Sequence, residues 1–519
     1  MRTFFVTALV LISSSASAAP LVLDGEVTKD GGDFAYVPFT VPAGTVEIEV
    51  RHDDRSAANI LDFGLDDPSG WRGWGGDLSE PSVVGPDAAS RCYTPGPITA
   101  GEWKVVIGKA KIKESPAKYH LEIELRTTPT LAKQSRKPYV PAVVEKTPRW
   151  YAGDFHVHSR ESGDARPAID EVAIFAASRK LDFVELSDHN TVSQVDQIVD
   201  AQAKTKVLLI PGFEYTTYAG HANGIGATQW VNHRIGDKGA NIVDAVKAIR
   251  AQGALFSINH PGLDLGDQCI GCAWKHDVPP ELIDAIEIET LGYKPVGFLF
   301  HGLAMQLWES LLAKGAHVAA IGGSDDHRAG QDLTSSQSAI GSPTTMVFAR
   351  ELSVLAIQEG IRAGRTVVKL QGPDDPMIDF TTDVALKGDT VSDEFVVLRA
   401  KVTGGGDAVR FVKNGTPLDE VAMKPGESDY VYEKLVDAPK TGEDRYRAEV
   451  MIDGKARTIT SHIFVKYVAT GRARPTAEAA NKGCGCRYSP DGRSLAGAAG
   501  LVAVLSLALS ARRRARRSR

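Results

Sequence analysis

The sequence predicts an α/β barrel of parallel strands flanked by two β-sandwich domains. Three observations carry this expectation. Residues 150–372 alternate short apolar, strand-like runs with helix-like stretches, the texture of repeated strand–helix–strand units. The segments on either side show short alternating runs broken by Gly, Pro and Asp, as antiparallel sandwiches do. Finally, histidines and carboxylates fall at the ends of the central strand-like runs, where a parallel barrel gathers its chemistry. At 519 residues the chain exceeds what one core supports. Its composition, 43% hydrophobic and 24% charged, is that of a globular protein, and a net charge of −6 gives no basic domain suited to nucleic acid.

Residues 1–19 read as a signal peptide, with basic Arg2, an apolar run from Phe4 to Ile12 and small residues Ala16-Ser17-Ala18 before the cleavage point. The first sandwich, jelly-roll-like, is expected at 20–128, with strand runs at 34–39, 46–50, 103–107 and 119–125. A linker rich in Pro, Lys and Thr follows at 129–149. Within the barrel region, strands are expected at 155–158, 183–186, 207–210, 255–258, 285–288 and 318–321. Helices are expected at 169–180, 192–204, 242–252 and 303–314, with Ile169, Val172, Ala173, Ala176 and Ala177 forming a buried stripe. An immunoglobulin-like β domain is expected at 373–468, with Asn414-Gly415 as a hairpin turn.

The C-terminus is organised as an address. A linker at 469–494 carries Gly483-Cys484-Gly485-Cys486, a hydrophobic helix at 495–511 sits at the short limit for spanning a bilayer, and an Arg-rich cytoplasmic tail occupies 512–519. This tail resembles the C-terminal sorting signals of myxobacterial exported proteins. The resemblance implies processing near Cys484 or Cys486 by sorting machinery, with delivery to the cell surface or outer envelope, or release after processing. A plain membrane anchor is the simpler alternative. Of the remaining cysteines, Cys269-Ile270-Gly271-Cys272 fits a tight disulfide, a redox pair or a metal half-site. No second such pair follows in the folded part, so a loop disulfide is the first expectation.

The chemistry-bearing series runs His156 and His158, Asp188-His189, Glu214, His221, Asn259-His260-Pro261 and Ser324-Asp325-Asp326-His327. His156 and His158, two apart on a strand, present both imidazoles on one face. Each piece has a bland reading by itself: Asp188 as a helix cap, His260 as a strand-end turn, Glu214 as an ion-pair partner, His221 as a loop histidine. Together, at one end of one barrel, they read as donors to several cations, with a carboxylate bridging two of them. Imidazole and carboxylate donors suit divalent transition metals of the Zn, Mn or Fe class, and the resemblance given next sets their number at two or three. His233, His276 and His317 belong to no motif and are read as loop or element-end residues.

With Asp164 six residues beyond His158, this pattern resembles the PHP (polymerase and histidinol phosphatase) superfamily across residues 150–370. The resemblance implies a distorted seven-stranded β/α barrel with up to three metals. Carried over by position, His156, His158, Glu214 and Asp325 hold the first metal, and Glu214 bridges to a second held by His221 and His260. Asp164, His189 and His327 hold the third. Glu161 and Asp326 are neighbouring carboxylates able to substitute, and Asp188 would support His189 from behind. The stretches Trp150–His158, Pro211–Tyr215 and Gly360–Thr366 resemble exported members related to carbaryl hydrolase, which are flanked by β domains. The expected function is therefore hydrolysis of a small-molecule ester by a metal-bridging hydroxide, phosphoesterase-like. Hydrolysis of a carbamate or carboxyl ester on the same site, or a non-catalytic surface binding protein, are the alternatives. Glu214 and Asp325 serve catalysis as ligands, Arg160 and Arg328 are candidate phosphate clamps, and His301, Asp326 or a metal-bound water would protonate the leaving group.

Overall fold

The computed structural model describes residues 19–474 apart from 294, 335–336 and 425, and the side chains of 293–299 are also left undescribed. The predicted signal peptide (except Ala19), the Cys-containing linker beyond 474, the hydrophobic helix and the Arg-rich tail lie outside these residues. Among the described residues no helix is long and apolar enough to cross a membrane. The chain divides into two units, Met1–Gln134 and Ser135–Arg519.

The first unit holds two four-stranded sheets. One runs in the order Leu21–Val27, Ala117–Arg126, Glu47–Asp53, Ser82–Val84, and the other Phe34–Val41, Gly101–Lys111, Ile60–Asp67, Gly70–Gly76. Strand alternation explains the pairing: Leu121 and Ile123 point inward while Glu122 and Glu124 remain partly exposed. Ile48, Phe63, Trp103, Ile107 and Leu121 from both sheets share one core.

The second unit is mixed α/β and strand-rich. Its central strands fall into two sheets, one of which opens with an antiparallel hairpin. In one, Arg149–Val157, Phe183–Leu186 and Leu208–Pro211 run parallel, and Thr344–Ala349 pairs antiparallel on the other side of Arg149–Val157. In the other, the hairpin Glu214–Thr217/Gly220–Ile225 precedes Leu255–Ile258, Ala285–Glu289 and Ala319–Gly322. The six expected strand runs are present. Periodicity did not show the hairpin, because its first strand, Glu-Tyr-Thr-Thr at 214–217, is short and mostly polar. Isolated parallel bridges join the sheets, Val157 with Asp326 and His189 with Glu214, and Asn223 reinforces them by donating to the Phe155 carbonyl at 2.6 Å. Both seams fall at candidate ligands.

Helices occupy Ile169–Ser178, Ile242–Ala251, Pro295–Ala313 and Val354–Arg362. Asn241 caps the second, accepting from the Asp244 amide at 3.0 Å, and Ser353 caps the fourth, accepting from Ala356 at 3.2 Å. The stripe Ile169, Val172, Ala173 and Ala176 is buried, whereas Ala177 is exposed. The helix expected at 192–204 contracts to a turn at Val195–Gln197 and Ile198–Gln202, while the one expected from 303 begins eight residues earlier, at Pro295. The linker at 129–149 includes a strand, Val143–Glu145, paired with Leu352–Ser353.

Beyond residue 373 the β texture continues, and it is joined to the central region. Thr366–Lys369 pairs with Lys455–Thr460, so one sheet runs on from the ligand-bearing strands into the C-terminal strands. Met377–Thr382, Phe395–Thr403 and Asp429–Asp437 form a separate antiparallel sheet. Phe380, Leu398, Phe411, Tyr446 and Val450 from the two sheets share a core. Asn414 and Gly415, with φ of 50° and 82°, turn the chain between Ala408–Lys413 and Thr416–Ala422.

Candidate metal centre

Short parallel strands set the site, because each ends where its last side chains clear the sheet. His156 lies on Arg149–Val157 and His158 directly after it; His189 follows Phe183–Leu186; His260 follows Leu255–Ile258; Asp325 and His327 follow Ala319–Gly322. Glu214 and His221 come from the two strands of the hairpin. His260 and Asp325 have φ of 25° and 57°, left-handed values that non-glycine residues adopt at a cost and that cluster at functional sites.

The carboxylate of Glu214 is the hub. It is fully buried and faces five imidazoles: His156 Nε2 at 3.3 Å, His158 Nε2 at 3.8 Å, His189 Nδ1 at 2.7 Å, His221 Nδ1 at 3.3 Å and His260 Nε2 at 3.2 Å. Asp325 faces His156 Nε2 at 3.3 Å and His158 Nε2 at 3.1 Å. Asp164, half-exposed, lies 3.4 Å from His189 Nε2 and 3.1 Å from His327 Nε2. All nine expected donors are thus drawn into one cluster.

Does this cluster fit metals? Burying a charge without partners is expensive, and buried polar atoms almost always find a hydrogen bond. Here His156 Nε2, His158 Nε2, His260 Nδ1 and Glu214 Oε2 are buried without one. Three triads of donors, His156/His158/Asp325, His156/Glu214/His260 and His158/His189/His327, each lie within 4.8 Å. The donor set therefore fits divalent cations. Burial by itself would raise the Glu214 carboxyl, but His156, His189 and His221 outweigh it and hold it well below the ordinary range. Burial, joined by repulsion from His327 and His189, pushes His158 down to about 3, so its imidazole is neutral and able to donate a lone pair.

A second layer orients these donors, and motif reading missed it. Glu287 accepts from His156 Nδ1 at 2.8 Å and from the His260 amide at 2.8 Å. Asn259 donates to Glu214 Oε1 at 2.9 Å and to Asn223 Oδ1 at 2.7 Å. Ser162 meets His158 Nδ1 at 3.2 Å, and Thr216 meets His189 Nδ1 at 2.7 Å. Asp154 accepts from the amides of His156, Ser324 and Gly341, tying two strand ends together. The usable signal was a lone Glu within an apolar strand run, as in Ala-Ile-Glu-Ile at 285–288.

Other expected residues sit elsewhere. Arg328 lines the cavity, of about 310 Å³, together with Leu263, Leu265 and Leu291, whereas Arg160 is exposed and is not among the lining residues. His301 opens instead on a small void shared with Glu287 and Glu289, its Nδ1 held by the Ile288 carbonyl at 2.6 Å and by Glu289 at 3.1 Å. Asp326 is spent on the amides of Arg328, Gly330 and Ile340, so it shapes the ligand loop and faces no substrate space. Asp188 binds the amide and hydroxyl of Ser159 and so steadies the His158 end of the site, not His189. Glu161 accepts from Ser193.

No protein-family model matches the chain, and no curated protein sequence matches it. Among solved structures it is similar to a two-domain protein from Bacteroides vulgatus described as containing a PHP-like metal-dependent phosphoesterase, at 21% identity, with 64% of this chain and 99% of that one covered and a TM-score of 0.35. It is also similar to an amidohydrolase from Chromobacterium violaceum with bound sulfate and no metal, at 18% identity over 35% of this chain and 89% of that one, TM-score 0.23. A protein from Bifidobacterium adolescentis described as a metal-dependent phosphoesterase matches at 14% identity over the same shares, 35% and 89%, TM-score 0.24.

Proposed function

We propose that the chain is an exported, PHP-type hydrolase that binds two or three divalent transition metals and acts on a small-molecule ester, a phosphoester first. The observation that carries this reading is the set of buried donor atoms left without hydrogen bonds in one cluster, around a Glu214 and an Asp325 that line the cavity. When bound, such cations supply Lewis acidity toward water and the scissile group. Glu214, touching five imidazoles, would be shared between two cations; His156, His158 and Asp325 complete one position, His221 and His260 a second, and Asp164, His189 and His327 a third. Export rests on the leader and tail patterns of the sequence, with the tail helix as the membrane contact before processing.

The protein's own groups prepare the site. Glu287 accepts a hydrogen bond from Nδ1 of His156, which leaves the Nε2 lone pair facing Glu214 and Asp325. Ser162 engages Nδ1 of His158 in the same way. Arg328 at the cavity wall offers a planar, permanently charged donor to an anionic oxygen. Leu263, Leu265 and Leu291 supply an apolar wall. That wall favours a second reading, a carbamate or carboxyl ester with an apolar leaving group. A non-catalytic binding protein is disfavoured, because a retired site would have no need of a complete donor set.

A panel of p-nitrophenyl phosphate mono- and diesters, naphthyl carbamates and acetates separates these readings. Phosphoester hydrolysis that requires added metal, with KM raised in Arg328→Ala, supports the first. Metal-dependent turnover of the neutral esters alone, indifferent to Arg328→Ala, supports the second. No hydrolysis of any member by the metal-loaded protein contradicts both.

A further inference from the structure

The Cys269–Cys272 pair has no part in the hydrolytic reading, yet it closes one wall of the same cavity. The two cysteines are joined as a disulfide with Cα atoms 5.6 Å apart. Cys269 lines the cavity and Cys272 is buried. Their loop lies flush on the turn leading to His221: Gly271 has φ of 82°, and a Cβ placed there would fall 2.2 Å from the Thr217 carbonyl oxygen. The loop is also pinned by the Trp274 amide on the Pro261 carbonyl at 3.1 Å and by the Lys275 amide on Ala219 at 2.8 Å. His221 is thereby held against the pair, with Cys272 Sγ 4.0 Å from its Nδ1.

The tautomer of His221 decides what this closeness can do. Its Nε2 lies 3.3 Å from the carbonyl of Ile270, a residue of the same loop, and only a ring N–H can satisfy that oxygen. The lone pair is then on Nδ1, which faces Glu214 Oε1 at 3.3 Å as well as Cys272. One lone pair has two claimants. Cys269, Cys272 and His221 offer three donor atoms within 4.8 Å of one another. A tetrahedral zinc with Zn–S of about 2.3 Å and Zn–N of about 2.0–2.1 Å spaces its sulfur and nitrogen by roughly 3.6 Å, close to the separation found.

We propose that the reduced Cys269/Cys272 pair forms, with His221, a site for a thiophilic d10 cation of the Zn2+/Cd2+ class, whereas in the disulfide form His221 is left to the hydrolytic centre. Cys269 and His221 both line the cavity, so a fourth ligand to this cation would come from that side. A phosphine reductant cleaves the S–S bond with water, giving two thiols and the phosphine oxide; the cation then displaces two thiol protons, which pass to solvent. Binding of the cation stands on the donor geometry alone, whereas its effect on catalysis rests on the hydrolase reading.

The test uses the full chain with Cys484→Ser and Cys486→Ser in every sample, the reference 'wild type' included, so that the tail thiols give no band; it is treated or not with a phosphine reductant, titrated with Cd2+ and followed by sulfur-to-metal charge-transfer absorption and by metal content. Reduced wild type should gain one equivalent of Cd2+ with the charge-transfer band. Oxidised wild type, Cys269→Ser/Cys272→Ser and reduced protein alkylated with iodoacetamide should lack the band, and His221→Ala should bind this equivalent at least tenfold more weakly. A reduced wild type without the band, or a band unaffected by alkylation, overturns the proposal, as does equal binding in His221→Ala. If the band behaves as expected and no ester is hydrolysed under any condition, the hydrolase reading fails while this site stands. Where hydrolysis is found, Cd2+ added to the reduced protein should lower it several-fold in wild type and not in the double serine variant.

Discussion

Glu287 shows how a single buried side chain governs the centre without touching a substrate. It fixes both the ring of His156 and the backbone of His260. Glu287→Gln keeps the volume but removes the charge that holds the His156 proton. The expected result is a loss of about 10- to 100-fold in metal affinity or kcat/KM, read by metal titration and steady-state kinetics. His52, in the other unit, makes a prediction in pH. Burial against Phe63 lowers it from 6.5 to about 4, against a small opposing pull from Asp53. A folded value below the unfolded one means that the unfolded chain takes up the proton first. Its contribution to stability is therefore complete above pH 6.5 and is lost as pH falls toward 4. His52→Phe should flatten the fall in denaturation midpoint of that unit across this window; an unchanged slope would contradict the assignment. The donors themselves were legible at this scale, since histidines at strand ends stand out. Glu287 and Asn223 were not, and Asn259 stood out only as part of Asn-His-Pro, because their roles depend on which strands become neighbours, and no local pattern encodes that.

At the scale of elements, the strand ends do the positioning, and close packing there leaves no slack. Gly323 follows the strand Ala319–Gly322; a Cβ on it would lie 2.3 Å from His156 Cβ and 2.5 Å from Glu287 Oε1. Gly323→Ala should therefore lower metal occupancy and kcat far more than it lowers the melting temperature, as metal analysis and calorimetry would show. Retention of full occupancy would mean that the strand end yields. Four-residue runs such as Phe183–Leu186 and Leu255–Ile258 were readable because strands buried on both faces are mostly apolar, here with one polar residue each, Glu185 and Ser257. The Glu214–Ile225 hairpin escaped, having a polar start and a turn at Tyr218-Ala219 without a hairpin dipeptide signal. Pro295–Ala313 was longer than expected because Pro at a first helical position starts a helix as readily as it breaks one.

At the scale of the whole molecule, the order of β, α/β and β regions was visible in texture. What texture could not show is that the C-terminal strands share a sheet with the ligand-bearing strands, since Val367–Lys369 meet Thr458–Thr460 across some ninety residues. Cations that bind only the folded state stabilise it by mass action, about 2.7 kcal/mol for a site at a hundredfold excess over Kd. Chelation should thus lower the melting transition of the unit from Ser135 onward and leave that of the first unit in place. A shift of both transitions by the same amount would show that the cations act elsewhere.

The central claim is that Glu214 gathers the metals on which hydrolysis depends. Elemental analysis of purified wild type and Glu214→Gln, run beside the ester panel, tests it most directly. The account predicts two or three equivalents of a divalent transition metal and metal-dependent turnover in wild type. In Glu214→Gln at least one equivalent should be lost, and kcat/KM should fall by at least about 100-fold. A wild type without stoichiometric metal after reconstitution, or a Glu214→Gln variant with full metal content and full activity, would contradict it.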